Sequence, residues 1–137
     1  MTLVVPEAIV EAITAHAEAG APEETVGVLA GKHGVSRSIV ERAYRARNVA
    51  DRPTTRYEIA PKAELELLER IDASDLECVG FYHSHPNGPA EPSETDARLA
   101  AWPGYSYIIV SLAAGTADLG SWRWDGERFE REPIRRE

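Results

Sequence analysis

Apolar residues recur at helical spacing in three segments of the chain, residues 6–20, 62–74 and 93–102. Pro6 suits the first turn of the first segment, because a residue there needs no hydrogen-bonded backbone N–H, and Gly20 can end it. The third segment opens with Ser-Glu-Thr-Asp, which is typical of a helix N-terminus. We therefore predict three helices.

Runs rich in β-branched and apolar residues predict strands between and after these helices. The runs cover residues 25–31, 35–50, 76–85, 105–113, 119–124 and 127–133. The run 35–50 is long enough for one strand or a strand pair, and the last two runs flank Asp125-Gly126, a two-residue hairpin signal. Residues 51–61 contain two prolines and predict a loop with a short edge strand. This order of elements predicts an α/β (α+β) fold with a single mixed β-sheet flanked by helices.

The length and patterning of the chain are those of one globular domain. With 137 residues the chain can bury a core but is too short for two ordinary domains, so we expect one domain over residues 1–137. No apolar run approaches the roughly 18 residues of a membrane span, and the N-terminus lacks the basic start of a signal peptide. These features predict a cytoplasmic protein without a membrane partner. Only the charged last few residues are expected to be disordered.

The charge balance and the single cysteine argue against two further classes of protein. The formal net charge of -8 at pH 7 argues against nucleic-acid binding, because phosphate backbones require clustered lysine and arginine. Cys78 is the only cysteine, which rules out an intrachain disulfide and a thiolate metal cluster from one chain. Its apolar, strand-like surroundings predict a buried and unreactive thiol.

Two histidines separated by one residue end the predicted strand 76–85. On a strand this spacing points the imidazoles of His83 and His85 to the same face, whereas on a helix they would lie about 200° apart. Asp96, in the first turn of the following helix, can direct its carboxylate back to them. Two imidazoles and one carboxylate suit a catalytic zinc ion with a fourth position open for water. Alternatively, Ser93 and Asp96 only cap the helix, an interpretation that leaves the paired histidines unexplained.

The same positions resemble the signature of the JAMM (MPN+) zinc metalloprotease family. Residues 83–86 read His-Ser-His-Pro, residues 93–96 read Ser-Glu-Thr-Asp, and seven residues lie between His85 and Ser93. The family also has an upstream Glu-x-x-Gly-x-Leu, which residues 24–29 match as Glu-Thr-Val-Gly-Val-Leu. The resemblance extends from there through the helix after the motif. It implies the MPN/JAMM fold, which is cytidine-deaminase-like.

This resemblance implies a role for each matched residue. His83, His85 and Asp96 would bind one Zn²⁺ per chain, with water as the fourth ligand. Glu24 would accept a proton from that water and pass it to the departing amine, and Ser93 would donate a hydrogen bond to the oxyanion. The sequence therefore predicts hydrolysis of an amide bond without a covalent intermediate.

Three other polar residues have no match in the signature. Glu23 lies beside Glu24 but lacks the glycine three residues on and the leucine five residues on, so we interpret it as a solvated neighbour. His16 is interpreted as a residue on a helix face and His33 as a residue at a loop tip. None of the three is expected to bind metal.

The family resemblance also implies a class of substrate. Relatives of this kind are isopeptidases that cleave the bond between the Gly-Gly tail of a ubiquitin-like modifier and a lysine of the target. The compact chain is most similar to small archaeal, desampylase-type members rather than to the larger deubiquitinases. A peptidase that trims a residue from the C-terminus of a sulfur-carrier protein is the alternative. A non-catalytic MPN scaffold would have lost ligands, and the RadC-like group usually carries an added helical DNA-binding portion for which this acidic chain has no room.

Overall fold

One eight-stranded mixed sheet organises the chain, of which the computed structural model describes residues 1–137. The strands, in chain order, are β1 (Thr2–Val5), β2 (Val26–Lys32), β3 (Arg37–Ala46), β4 (Glu77–His85), β5 (Ser106–Ser111), β6 (Asp118–Trp124), β7 (Phe129–Glu132) and β8 (Ile134–Arg136). Their order across the sheet is β7-β6-β5-β4-β2-β3-β1-β8. The pairs β4–β5, β1–β3 and β1–β8 are parallel and the others antiparallel, which confirms the predicted mixed sheet.

Three helices accompany the sheet, as predicted: α1 (Glu7–Gly20), α2 (Pro61–Ala73) and α3 (Glu94–Leu99). Alternate residues of the strands point to opposite faces, so β2 sends Leu29 into a core with Ile13 of α1 and Val28 into a second core with Ile71 of α2. Both cores are apolar, and each fully buried aliphatic side chain contributes about 1.5–3 kcal/mol to folding. None of the helices is long and apolar enough to cross a membrane.

The two ends of the chain form strands that the sequence analysis did not predict. β1 pairs with β3 on one side and with β8 on the other, so the charged C-terminal residues are ordered and the expectation of disorder is wrong. Backbone hydrogen bonds order them, including Leu3 N–H to the Pro133 carbonyl (3.0 Å) and Glu137 N–H to the Val5 carbonyl (3.0 Å). β7 and β8 are the two edge strands of the sheet, yet only Pro133 separates them along the chain. The sheet therefore curves until its two edges meet at Pro133.

Three local expectations also differ from the structure. Residues 51–61 contain no strand: turns and irregular backbone lead directly into α2. Helix α3 ends at Leu99 rather than at residue 102, because Ala100 is extended (ψ 132°). The β6–β7 loop has four residues, 125–128, because the side chain of Asp125 accepts two backbone N–H groups and widens the turn.

Candidate active site and metal centre

The end of β4 and the start of β2 bring three of the predicted site residues together. His83 and His85 lie on one face of β4, and Val26 of the antiparallel β2 is the register partner of His83. Glu24, two residues before Val26, therefore lies beside the two imidazoles. Ser84 points the opposite way: its Oγ accepts a hydrogen bond from Thr25 N–H (2.8 Å), which ties the two strands together at the site.

Four ligand-type atoms converge at this point. His83 Nε2 lies 3.2 Å from His85 Nε2 and 3.1 Å from Asp96 Oδ2, and His85 Nε2 lies 2.9 Å from the same oxygen. With Glu24 included, all four ligand atoms lie within 4.8 Å of one another, and all four residues are buried. Ligands about 2.0–2.1 Å from a tetrahedral zinc ion are separated by about 3.3 Å. The spacing therefore fits a metal site.

A hydrogen bond at His85 and burial of His83 favour metal-binding forms of the two imidazoles. His85 Nδ1 lies 2.8 Å from the carbonyl oxygen of Pro89, so Nδ1 carries the proton and Nε2 directs a lone pair into the cluster. The ring of His83 is fully buried and stacks on Tyr57, with ring centroids 4.4 Å apart. Burial lowers the pKa of His83, which favours the neutral, ligating form. Lone pairs converging in a buried space require a cation or a shared proton between them.

Asp96 serves both the cluster and its helix. The backbone N–H of Ser93 donates to Asp96 Oδ2 (2.9 Å), and the Asp96 N–H donates to Ser93 Oγ (3.0 Å), which makes a reciprocal cap of α3. The capping interpretation is thus correct, but it accompanies the metal-ligand geometry rather than replacing it. Burial alone would raise the pKa of Asp96, but the proton that its Oδ2 can share with His83 Nε2 and His85 Nε2, together with the hydrogen bond from the Ser93 backbone N–H, holds it well below its ordinary value.

Glu24 is the remaining carboxylate at the cluster, and a hydrogen bond of its backbone N–H fixes its position. Glu24 is only 6% exposed, and its Oε1 has no hydrogen-bond partner. Burial raises the pKa of Glu24 to about 7, against the opposing effect of His85 and with a further increase from Asp96. Its N–H donates to the Pro53 carbonyl (2.7 Å). A carboxyl group with a pKa near neutrality beside a metal site can exchange protons at neutral pH. The adjacent Glu23 is exposed, as expected for a solvated neighbour.

Sequence reasoning missed two residues that support this arrangement, Asn48 and Tyr57. Asn48 Nδ2 donates to the carbonyl oxygens of Glu24 (2.9 Å) and Arg56 (3.0 Å), and its Oδ1 accepts from the N–H groups of Ala50 (3.0 Å) and residue 58 (3.1 Å). One side chain therefore fixes both the backbone of Glu24 and the loop that presses Tyr57 against a metal-site histidine. An asparagine at the start of a loop is a recognisable turn signal, but its partners are not readable from the sequence.

The loop between β4 and α3, residues 86–92, is also anchored to the sheet. Ser111 Oγ donates to the Gly88 carbonyl (2.5 Å), and Trp122 Nε1 donates to the Ala90 carbonyl (3.1 Å). Because Pro89 in this loop orients His85, these two bonds hold the loop in a position that keeps the imidazole correctly rotated.

The other histidines and the cysteine lie outside the cluster. His16 Nδ1 lies 2.6 Å from the hydroxyl of Tyr82, on the face of the sheet that carries α1. His33 lies exposed in the loop between β2 and β3, as expected, and its Nε2 lies 3.1 Å from the Cys78 carbonyl oxygen of β4. Cys78 is half-buried, and burial raises the pKa of its thiol to about 11, so it stays protonated at neutral pH.

Two hollows flank the cluster. A polar cleft of about 310 Å³ opens in front of it and is lined by Glu24, His85, Ser93 and residues of the neighbouring loops. An apolar hollow of about 350 Å³ lies on the other side of Tyr57, with Phe81 and Trp102 in its wall. The cluster is therefore reached through the polar cleft.

Comparison with known proteins identifies relatives over most of the chain. The family described as "Prokaryotic homologs of the JAB domain" matches residues 6–125. The desampylase of Haloferax volcanii is 38% identical over 123 residues, covering 87% of this chain and 85% of that protein. A probable TtuB-protein conjugate cleaving protease of Thermus thermophilus is 39% identical over 102 residues, covering 74% and 66%. The CysO-cysteine peptidase of Mycobacterium tuberculosis is 38% identical over 109 residues, covering 80% and 73%.

Solved structures show the same fold. A protein of Desulfitobacterium hafniense, solved in solution, aligns with a TM-score of 0.89 at 29% identity and covers 98% of this chain and 92% of its own. A protein of Salinibacter ruber aligns with a TM-score of 0.72 at 32% identity, covering 98% and 90%. These findings confirm the resemblance that the His-x-His-Pro motif suggested. The chain belongs to the prokaryotic JAB (JAMM/MPN+) family and is a hydrolase that acts on peptide bonds.

Proposed function

We propose that this protein is a zinc-dependent isopeptidase that hydrolyses the amide bond after the C-terminal glycine of a ubiquitin-like modifier. The observation that carries the proposal is the convergence of His83 Nε2, His85 Nε2 and Asp96 Oδ2, with the buried and unpartnered Oε1 of Glu24 beside them. Three ligands of this kind match a catalytic zinc site that keeps a position open for water. We take residues 1–137 as one domain, because strands from both chain ends join one sheet.

The zinc ion, when bound, would act as a Lewis acid that lowers the pKa of water and polarises the scissile carbonyl. Glu24 takes the proton from the attacking water as the new C–O bond forms. It then delivers that proton to the amine nitrogen as the C–N bond breaks, so one water is consumed for each amide cleaved. The raised pKa of Glu24 suits a group that must both accept and release a proton.

Ser93 is proposed to stabilise the negative charge that develops on the carbonyl oxygen. Its Oγ already accepts the N–H of Asp96, so its hydroxyl hydrogen is free to point toward the cleft that Ser93 lines. A hydroxyl aimed at a developing oxyanion is a common device for lowering the barrier of acyl transfer. The same residue thus caps α3 and faces the reacting carbonyl.

Three relatives support a modifier or carrier protein as the substrate, since they are named a desampylase, a probable TtuB-protein conjugate cleaving protease and a CysO-cysteine peptidase. A tail ending in Gly-Gly would suit a cleft of about 310 Å³ because glycine brings no side chain. The alternative is a peptidase that removes one residue from the C-terminus of a sulfur-carrier protein, and the similarity to the CysO-cysteine peptidase favours it.

The proposal is tested by incubating the purified protein with two substrates, a modifier–lysine conjugate and a C-terminally extended sulfur carrier. We expect the conjugate to be cleaved after the terminal glycine, with about one zinc ion per chain by metal analysis. A strong chelator should abolish cleavage, and added zinc should restore it. Full activity in protein shown to be free of metal would refute the mechanism.

A further inference from the structure

The charged side chains of the polar cleft are all negative. Besides His85, its ionisable lining residues are the carboxylic acids Glu24 and Glu91, and neither lysine nor arginine lines it. Glu24 is nine-tenths buried and its Oε1 has no hydrogen-bond partner, so an unpaired acceptor faces the reacting groups. Glu91 is exposed and lines the same cleft from the loop that precedes Ser93. Any group on either side of the scissile bond must therefore tolerate this negative lining.

The negative charge continues beyond Glu91. A second hollow of about 430 Å³ shares Glu91 and Ser93 with the cleft and adds Glu94 and Glu127, with Arg128 as its one cation. The residues around Ser93 thus carry three carboxylates against one guanidinium. The formal net charge of the whole chain, -8, adds to the same field.

A bound divalent ion does not change the sign of this balance. Glu24 must be ionised to accept a proton, and in that form its carboxylate and that of Asp96 together offset the two positive charges of such an ion. Glu91 then leaves the cleft negative. A free α-carboxylate on the leaving amine lies only two bonds from the departing nitrogen, so it would enter this field without a positive side chain to pair with.

We propose that the cleft selects substrates whose leaving amine carries no free carboxylate, with Glu91 as the specificity-determining residue. The ε-amine of a lysine within a protein meets this condition, because its α-carboxyl group is part of a peptide bond. The α-amine of a free amino acid does not. The inference rests on the proposed peptidase function and decides between its two candidate substrate classes in favour of the isopeptide.

The experiment uses three substrates with the same modifier tail ending in Gly-Gly. The first joins the tail to the ε-amine of Nα-acetyl-lysine amide, the second to alanine with a free carboxylate, and the third to alanine amide. The second and third differ only in one negative charge. We expect the amide to be cleaved about three- to tenfold faster in kcat/KM than the acid at low salt, and the ratio should shrink at high salt because the charges are screened.

Variants of Glu91 test the residue itself. Glu91→Gln should reduce the preference for the amide, and Glu91→Lys should abolish or invert it. Glu41→Gln makes the same chemical change at an exposed position on β3, away from the cleft, and should keep the parent ratio. Inhibition by the released amines gives a second readout: alanine amide should inhibit the zinc-loaded parent more strongly than alanine, and Glu91→Lys should reverse that order.

The outcomes separate this inference from the proposed function. Cleavage of none of the three substrates by zinc-loaded protein would overturn the proposed function itself. Cleavage of the free acid as fast as the amide, or faster, would overturn the selectivity and leave the peptidase function standing. A preference that is identical in the parent and in Glu91→Gln would remove Glu91 from the assignment.

Discussion

Replacing Glu24 by glutamine separates proton transfer from metal binding. Glutamine keeps the size and the hydrogen-bonding shape of the side chain but cannot take a proton at neutral pH. General-base catalysis contributes about 10²- to 10⁴-fold to a rate, or about 3–5 kcal/mol of barrier. Because Glu24 is 6% exposed and its Oε1 has no other partner, bulk water cannot readily substitute, so we expect a loss near the upper end of that range.

The assay measures kcat on a modifier–lysine conjugate together with zinc content and unfolding temperature. Glu24→Gln should keep about one zinc ion per chain, and its unfolding temperature should equal or exceed that of the parent because a buried charge is removed. His83→Ala, by contrast, should lower both zinc content and activity. Glu23→Gln is the matched control, since Glu23 is exposed and adjacent, and it should stay active. An active Glu24→Gln together with an inactive Glu23→Gln would refute our register for the start of β2.

Three further changes test other parts of the structure. Ser93→Gly should lower kcat about 10²-fold or more because the hydroxyl that faces the oxyanion is lost. The unfolding temperature should fall only slightly, because glycine caps a helix nearly as well as serine. An unchanged kcat would show that Ser93 does not stabilise the oxyanion. Asn48→Ala removes four hydrogen bonds of 3.1 Å or less, so the free energy of unfolding measured by urea denaturation should fall by about 2–4 kcal/mol. We also expect kcat to fall at constant zinc content. A loss of stability without a change in kcat would show that Asn48 serves folding alone. Burial and Arg45 lower the pKa of His16, whose Nδ1 lies 2.6 Å from the Tyr82 hydroxyl. The neutral imidazole therefore contributes fully to stability above about pH 6.5, and this contribution is lost as the pH falls below that value. The unfolding temperature of His16→Gln should depend less on pH below about 6.5 than that of the parent, and an equal dependence in both proteins would contradict this reasoning.

Much of the candidate site could be predicted because its residues lie in short motifs on regular elements. The two-residue spacing of His83 and His85 needs only the alternation of a strand to place both on one face. The cap at Ser93 and Asp96 is local too, since its hydrogen bonds span three residues. The apolar runs likewise predicted all three helices and the central strands, since a buried strand or helix face leaves its period in the sequence.

The sequence by itself determined the mixed sheet, the family and the metal-ligand character of the His-His-Asp cluster, because these depend on local period and motif spacing. Tertiary structure alone decided the edge of the sheet and the support of the site. β1 and β8 come from opposite ends of the chain and pair through backbone hydrogen bonds, which leave little trace in side-chain pattern. The contacts of Tyr57 with His83 and of Asn48 with Glu24 join residues 26 and 24 positions apart, so they exist only once the strands have assembled.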